Sequence, residues 1–211
     1  MINFFLLLAV LITGTANAGL ITFGNATASN PNSFESFDRS GANAELATTQ
    51  FSGNGITFNS IVGGGPTSHI NSSCNVGGLT GSAWVSIGVT PPCGVAAGIS
   101  ISEILFDENV SELSFLFRTN NSASYLFESL LGGVQDAQLT VSNSIVGNTT
   151  QFLFTGDFDR IRFTEQVEDS WFWIDDLSWK TAPSSVPNPA TLGLLSLALL
   201  GLGFNRRKTK S

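Results

Sequence analysis

The stretch "VSELSFLFR", residues 110–118, alternates apolar and polar side chains along its length. Leu113, Phe115 and Phe117 share one face of an extended chain, and Ser114 lies on the other. Successive side chains of a β-strand point to opposite faces of its sheet. The alternation therefore predicts a strand of an antiparallel sheet with one buried face.

The same period of two recurs through most of the chain between residues 19 and 180. Predicted strands are "DAQLTVSN" (136–143), "DRIRFT" (159–164), Ile56–Ile61, Ala83–Val89, Ser100–Phe106, Ser124–Glu128, Thr149–Thr155 and Phe172–Lys180. Many short strands separated by turn residues predict an all-β body, an antiparallel β-sandwich. Seventeen phenylalanines against one tyrosine suit a core of rings that need no hydrogen-bond partner.

The predicted body is strongly acidic. All 16 acidic residues lie between residues 19 and 182, together with only five of the nine basic ones, which gives this part a net charge of −11. Such a surface repels phosphate backbones, so the composition excludes nucleic acid as a partner.

The N-terminus has the features of a secretory signal peptide. An apolar run extends from Phe4 to Ile12 and is followed by the triplet Ala16-Asn17-Ala18. This order predicts a signal helix within residues 1–18 and cleavage after Ala18. The body would then begin at residue 19 and lie on the exported side.

The C-terminus combines a linker, an apolar segment and a basic cluster. The linker is "TAPSSVPNP", residues 181–189, and no charged residue occurs from Thr191 to Phe204. We expect one transmembrane helix at about residues 190–205, since about 20 apolar residues span a bilayer. The basic residues after it would stay on the cytoplasmic side; they are Arg206, Arg207 and Lys208.

The tail "VPNPATLGLLSLALLGLGFNRRK" resembles the PEP-CTERM sorting signal of Gram-negative bacteria, with Val186, Pro187 and Pro189 at its start. Asn188 stands where that signal usually has glutamate. The resemblance implies a sorting signal over residues 186–211 that exosortase, a membrane-embedded cysteine-dependent transpeptidase, processes. It also implies a transient inner-membrane intermediate, delivery to the cell surface or extracellular matrix, and exopolysaccharide as a further partner.

The body resembles ectodomains that accompany this signal. "ILFDENVSELSFLFR" (104–118) and "DFDRIRFTEQVEDSWFWIDDLSW" (157–179) are similar to successive strands of such domains. The second stretch is also similar to the closing strand of jelly-roll carbohydrate-binding modules. The resemblance implies a jelly-roll-like sandwich in a non-enzymatic surface or matrix protein. The alternatives are a carbohydrate-binding lectin and a glycoside hydrolase of the same architecture.

Cys74 and Cys93 are the only cysteines of the chain. An isolated pair in an exported protein predicts one disulfide bond. The pair would close a loop rich in glycine and proline.

The stretch "WFWIDDLSW" (171–179) places two adjacent carboxylates in an apolar strand. In a regular strand either Asp175 or Asp176 would lie on the buried face and need a partner. Structural calcium is one candidate, because it accepts carboxylate oxygens in flexible geometry. The alternative is a pair at the end of the strand that is solvated or bonded to the backbone. We expect at least half of the tryptophans to lie in the core. The alternative is that they form a platform on which sugar rings stack.

A catalytic function has little support in the sequence. His69 is the only histidine, and it lies in the glycine-rich stretch "GGGPTSHINSSC", which we expect to be a loop without a nucleophile motif. No catalytic residue, metal ligand set or cofactor is therefore assigned beyond calcium. Two facing carboxylates in a cleft would instead indicate a glycosidase.

Overall fold

The structure is a computed structural model that describes residues 19–38, 44–70, 83–88, 99–119, 124–142, 149–167 and 172–183. Within these ranges the chain forms eleven strands, one short 3₁₀ turn at Ser52–Asn54 and no α-helix. The strands are β1 Leu20–Gly24, β2 Ser33–Glu35, β3 Ala44–Glu45, β4 Ile56–Val62, β5 Gly64–Ile70, β6 Ala83–Gly88, β7 Ile101–Thr119, β8 Ser124–Leu131, β9 Val134–Ser142, β10 Thr150–Glu165 and β11 Phe172–Thr181. Every described strand pair is antiparallel.

Two long strands, β7 and β10, pass from one sheet of the fold into the other. Residues 101–106 of β7 pair with β4, whereas residues 110–119 pair with β11. Residues 151–155 of β10 pair with β1, whereas residues 160–165 pair with β8. The register of β7 with β10 shifts between these halves, where β-bulges bend the strands.

The bends divide the strands into two sheets. The first sheet has the order β4, β7, β10, β8 and β9, and the second has β1, β10, β7, β11, β6, β5 and β3, with β2 added beside β11. The all-β, antiparallel β-sandwich predicted from the alternation is confirmed.

The core between the sheets consists largely of phenylalanine rings. Phe127 of β8 in the first sheet lies 5.0 Å, centroid to centroid, from both Phe117 and Phe152 in the second. Phe163 and Phe172 make a further contact between the sheets, also at 5.0 Å. All five side chains are at most 1% exposed. The excess of phenylalanine therefore fills the space between the sheets, as the composition predicted.

Several strand boundaries differ from the predicted ones. The stretches predicted at 100–106 and 110–118 are one continuous strand, β7, and those at 149–155 and 159–164 are both part of β10. The expectation that "GGGPTSHINSSC" forms a loop is wrong for its first half, because Gly64–Ile70 is strand β5 and pairs with β6. The partner strand supplies the hydrogen bonds that stabilise this glycine-containing segment.

The predicted terminal segments lie outside the described residues. This applies to the signal peptide at 1–18, to Cys74 and Cys93, and to everything from residue 184 to the C-terminus. Among the described residues no helix is long and apolar enough to cross a membrane. The signal helix, the disulfide bond and the transmembrane helix at about 190–205 therefore stay predictions.

Candidate functional site

The two adjacent aspartates lie at a β-bulge in the middle of β11. The pairing of β11 with β7 shifts between Asp175 and Ser178, and Asp176 has a φ of +48°. A left-handed residue occupies the first position of one class of bulge, where it is usually glycine, and aspartate tolerates this conformation better than most other residues. The pair therefore lies within the strand and not at its end, and the strand is not regular.

The bulge changes which sequence positions of β11 point into the core. Phe172 and Ile174 before it, and Leu177 and Trp179 after it, belong to one buried cluster. In a regular strand Leu177 and Trp179 would point to the opposite face from Ile174. The extra residue, Asp176, brings both apolar halves of the strand into the same core.

Asp175 is fully buried, and its Oδ1 accepts a hydrogen bond from the backbone N–H of Asp176 at 2.9 Å. Part of the predicted backbone bonding is thus present, but this carboxylate is not solvated. Among the described residues no group of three or more His, Cys, Asp or Glu side chains could hold a metal ion. Calcium at Asp175 and Asp176 remains a prediction that rests on the sequence.

Two of the four tryptophans occupy core-like positions. Trp173 and Trp179 are each 3% exposed, and the Trp179 ring lies 5.8 Å from that of Phe106. Neither presents a face on which a sugar could stack. Trp171 and the side chain of Trp84 lie outside the described part of the structure, as does the side chain of His69.

A row of polar side chains crosses the outer face of the first sheet. Cross-strand pairing places its members side by side on five neighbouring strands. We call them the polar row: Asn59 on β4, Glu103 on β7, Arg162 on β10, Glu128 on β8 and Gln138 on β9. Donors and acceptors thus alternate across the whole width of the sheet.

Glu103 is the centre of the polar row. Arg162 donates to its Oε1 through Nε at 2.9 Å and through an Nη at 2.7 Å, and Asn59 donates to Oε2 at 3.1 Å. Arg160 lies 3.8 Å from Oε2. Glu103 is 2% exposed, whereas the Arg160 and Arg162 side chains are about one-third exposed. The carboxylate is therefore covered by two guanidinium groups whose side chains stay partly exposed to solvent.

Other buried carboxylates hold the backbone. Glu35 accepts the N–H of Phe37 at 2.8 Å and a hydrogen bond from the Asn54 side-chain amide. Glu165 accepts the N–H and the hydroxyl of Ser100 at 2.8 and 2.9 Å. These groups are used to fix turns and strand ends.

Glu112 joins the N-terminal segment to the second sheet. Its carboxylate accepts the N–H and hydroxyl of Ser29 at 2.6 and 2.7 Å and lies 3.4 Å from the Lys180 ammonium. The backbone hydrogen bond from Ser29 is the largest influence that holds the pKa of Glu112 below its ordinary value, and Lys180 adds to it. Glu112 is therefore charged at neutral pH, and its hydrogen bonds hold the segment around Ser29 against the second sheet.

An open cleft of about 1110 Å³ lies where the chain leaves the sandwich. Its lining includes Glu108 and Asp157, together with Lys180 and residues 181–183 at the start of the linker. Both carboxylates are exposed to solvent. The general acid of a glycosidase normally occupies a shielded site, so the cleft does not have the features of that catalytic centre.

Residues 185–208 match the PEP-CTERM protein-sorting motif. The match begins two residues after the last described residue of the sandwich, Pro183. The chain is therefore an exported protein: an antiparallel β-sandwich that carries a C-terminal sorting tag of the kind that exosortase processes. The resemblance of the tail, noted from Val186, Pro187 and Pro189, is confirmed.

No curated protein sequence matches the chain. Among solved structures it is similar to the K2 cleaved adhesin domain of Lys-gingipain, with a TM-score of 0.49 and 9% identity over 70% of this chain and 98% of that one. The K1 cleaved adhesin domain of Lys-gingipain from Porphyromonas gingivalis W83 gives 0.47 and 12% over 71% and 98%. TmCBM61 in complex with β-1,4-galactotriose gives 0.37 and 15% over 67% and 100%. Likenesses of this size leave the ligand and the activity of this chain open.

Sequence reasoning did not find the polar row. Its members come from five separate strands, and Glu103 and Arg162 are 59 residues apart. The local signal was present in "DRIRFT", where both arginines occupy the polar phase of a predicted strand. Only the register of the sheet shows that a carboxylate faces them.

Proposed function

We propose that the chain is a non-enzymatic cell-surface or extracellular-matrix protein whose sorting tag is removed during delivery. The observation that carries the proposal is the sorting motif at 185–208, which follows directly after the last strand of a folded body. The acidic surface of that body, exported through a signal peptide cut after Ala18, suits a hydrated matrix rich in exopolysaccharide. Export would also allow the disulfide bond between Cys74 and Cys93 to form.

The proposed domain organisation follows from this route. Residues 1–18 are the signal peptide, residues 19–180 the ectodomain and residues 181–189 an extended linker. The tag at 186–211 holds the chain in the inner membrane through a helix at about 190–205, with Arg206, Arg207 and Lys208 on the cytoplasmic side. Exosortase then acts near Val186–Pro189, where prolines keep the chain extended and accessible.

The mass of the mature protein tests this proposal. Protein recovered from the cell exterior is expected to lack Arg206–Lys210 and to end near Val186–Pro189. Replacing Pro187 and Pro189 with alanine should leave the tag in place and retain most of the protein in the membrane fraction. Intact mass spectrometry and fractionation measure both effects.

Pro183→Ala is the matched control, because Pro183 lies in the linker but before the matched motif. It should be processed like the wild type. Exported protein that still ends at Ser211 would contradict removal of the tag, and equal retention of the Pro183 variant would contradict a specific role of the motif prolines.

A second candidate function, sugar binding, is favoured by the polar row. Arg162 of the row and the neighbouring Arg160 are partly exposed beside carboxylate and amide acceptors on an open sheet face, and hydroxyl groups of a polysaccharide can bind such a row. We propose this as the alternative to a purely structural matrix protein. The row would replace the tryptophans as the binding surface.

Arg162→Ala is expected to weaken binding of the producer's exopolysaccharide about tenfold, as the loss of one charged anchor typically does. Arg118→Ala removes the same charge from the second sheet and serves as the control. Binding is measured by titration of the exported protein after its melting temperature has been checked. Equal affinities of the wild type and the Arg162 variant would exclude the row as a sugar site.

A further inference from the structure

Asp136, near the start of β9, holds the chain end from which β1 begins. Its Oδ1 accepts a hydrogen bond from the backbone nitrogen of Gly19 at 3.2 Å. The two residues are 117 positions apart in the sequence. Gly19 is also the residue that follows the predicted cleavage site, Ala18.

The second oxygen of the same carboxylate lacks a donor. Asp136 Oδ2 is buried and has no hydrogen-bond partner among the described residues. A buried carboxylate oxygen without a donor is unfavourable, because it has lost its water and gained nothing in return. The arrangement is therefore incomplete with the chain as it stands before cleavage.

The space around this oxygen is restricted by two glycines. A Cβ on Gly19 would lie 2.0 Å from Asp136 Oδ2, and a Cβ on Gly156 would lie 2.5 Å from it. The Cβ on Gly156 would also lie 2.7 Å from the Gly19 Cα. Gly156 has a φ of +128°, a conformation that other residues rarely adopt. The three residues pack so closely that no larger side chain fits at either glycine.

Cleavage after Ala18 changes the chemistry of the Gly19 nitrogen. Before cleavage it is a peptide amide with one hydrogen, which it already donates to Oδ1. After cleavage it is an ammonium group with three hydrogens and a positive charge. One more hydrogen can then be donated to Oδ2, and both bonds then join a positively charged donor to a carboxylate.

We propose that Asp136 is a binding site for the α-ammonium group that signal-peptide cleavage creates at Gly19. The ligand of the site is the mature N-terminus of the chain itself. The proposal rests on cleavage after Ala18, which belongs to the export route described above. It is independent of how the C-terminal tag is processed.

The site links processing to the stability of the second sheet. Gly19 directly precedes β1, which pairs with β10 and forms the edge of that sheet. Binding of the new ammonium group would fix this edge strand at its first residue. The exported body would thus reach its full stability only after the signal peptide has been removed.

A double-mutant cycle on the exported protein tests the site. Insertion of Ala-Gln after Ala18 moves the α-ammonium group away and leaves an amide at Gly19, because glutamine before Gly19 does not create a second small-residue cleavage site. This insertion should raise the unfolding equilibrium constant about tenfold in the wild type, as charge-assisted hydrogen bonds of ordinary strength imply. In Asp136→Asn it should have no effect. Urea unfolding measures all four proteins.

A second measurement does not depend on how well the variants fold. At about pH 7, α-amino groups react with acylating reagents ahead of lysine side chains. The α-amino group of the wild type should be acylated about tenfold more slowly than that of the protein with the inserted residues, because the bound group is shielded. Asp157→Asn, which removes an exposed carboxylate from β10, is the matched control and should keep this protection.

Three results would overturn the proposal. A mature N-terminus other than Gly19, read from the intact mass, would mean that the proposed ligand does not exist. The residues missing from the C-terminus report separately on removal of the tag. If the insertion changes stability equally in the wild type and in Asp136→Asn, the N-terminus and Asp136 are not coupled. Equal acylation rates in the wild type and the extended protein show that Asp136 does not bind the group.

Discussion

Replacing Phe127 with alanine is expected to lower the free energy of unfolding by about 3–5 kcal/mol. The Phe127 ring is fully buried and has five aromatic neighbours among the described residues, drawn from both sheets. Three of these, Phe117, Phe152 and Phe163, lie at 5.0 Å. Truncation removes the contacts that this ring makes between the sheets and leaves a cavity that rigid strands cannot close.

Two further variants separate this loss from a general effect of removing phenylalanine. Phe34 on β2 is 55% exposed, so Phe34→Ala should change stability by no more than about 0.5 kcal/mol. Phe127→Leu keeps most of the volume and should cost less than about 1.5 kcal/mol. Urea unfolding of the exported body measures all three. A loss below about 1 kcal/mol in Phe127→Ala would mean that this ring is not central to the core.

The long strands could be predicted because their sequence shows the period that burial imposes. In β7 and β10 one face meets the phenylalanine core and the other meets solvent or the polar row, so apolar and polar residues alternate. The sequence did not show that each strand continues through a bend. The bend depends on pairing with different partners on each side, which is not a local property.

Three of the four missed strands, all except β1, are very short or rich in residues that do not favour β-structure. β2 and β3 contain three and two residues, and β5 contains Gly64, Gly65 and Pro66. Such segments become strands only because a neighbour offers a row of hydrogen-bonding groups. β5, for example, pairs with β6 over its whole length. Their prediction would have required knowledge of the sheet edge beside them.

The same limit applied to the candidate sites. The acidic and basic members of the polar row were visible as polar positions, but their contacts arise from strand register. Asp136 and Gly19 showed no signal as a pair, since their contact joins the residue before the first strand to the ninth strand. The adjacent aspartates in β11 were noticed for the correct reason, a conflict between an apolar strand and two carboxylates. The bulge that resolves this conflict could not be derived from a regular alternation of apolar and polar residues.

That bulge makes Asp176 the position with the second large expected effect. Asp176→Val should lower the free energy of unfolding by about 2–3 kcal/mol, because a β-branched residue is strained at a φ of +48°. If the strand relaxed to a regular conformation instead, Leu177 and Trp179 would leave the core. Asp176→Gly relieves the strain and should leave stability within about 1 kcal/mol of the wild type.

Excess chelator distinguishes the bulge from a calcium site at the same residues. If Asp176 acts only through its backbone conformation, the melting temperatures of the wild type, Asp176→Gly and Asp176→Asn should not change when calcium is removed. If calcium is bound, chelator should instead lower the melting temperature of the wild type. Asp176→Asn should abolish that sensitivity because it removes a charged ligand. A loss in Asp176→Gly as large as that in Asp176→Val would contradict the conformational role. The side chain itself, and not the left-handed backbone, would then hold the two halves of β11 in one core.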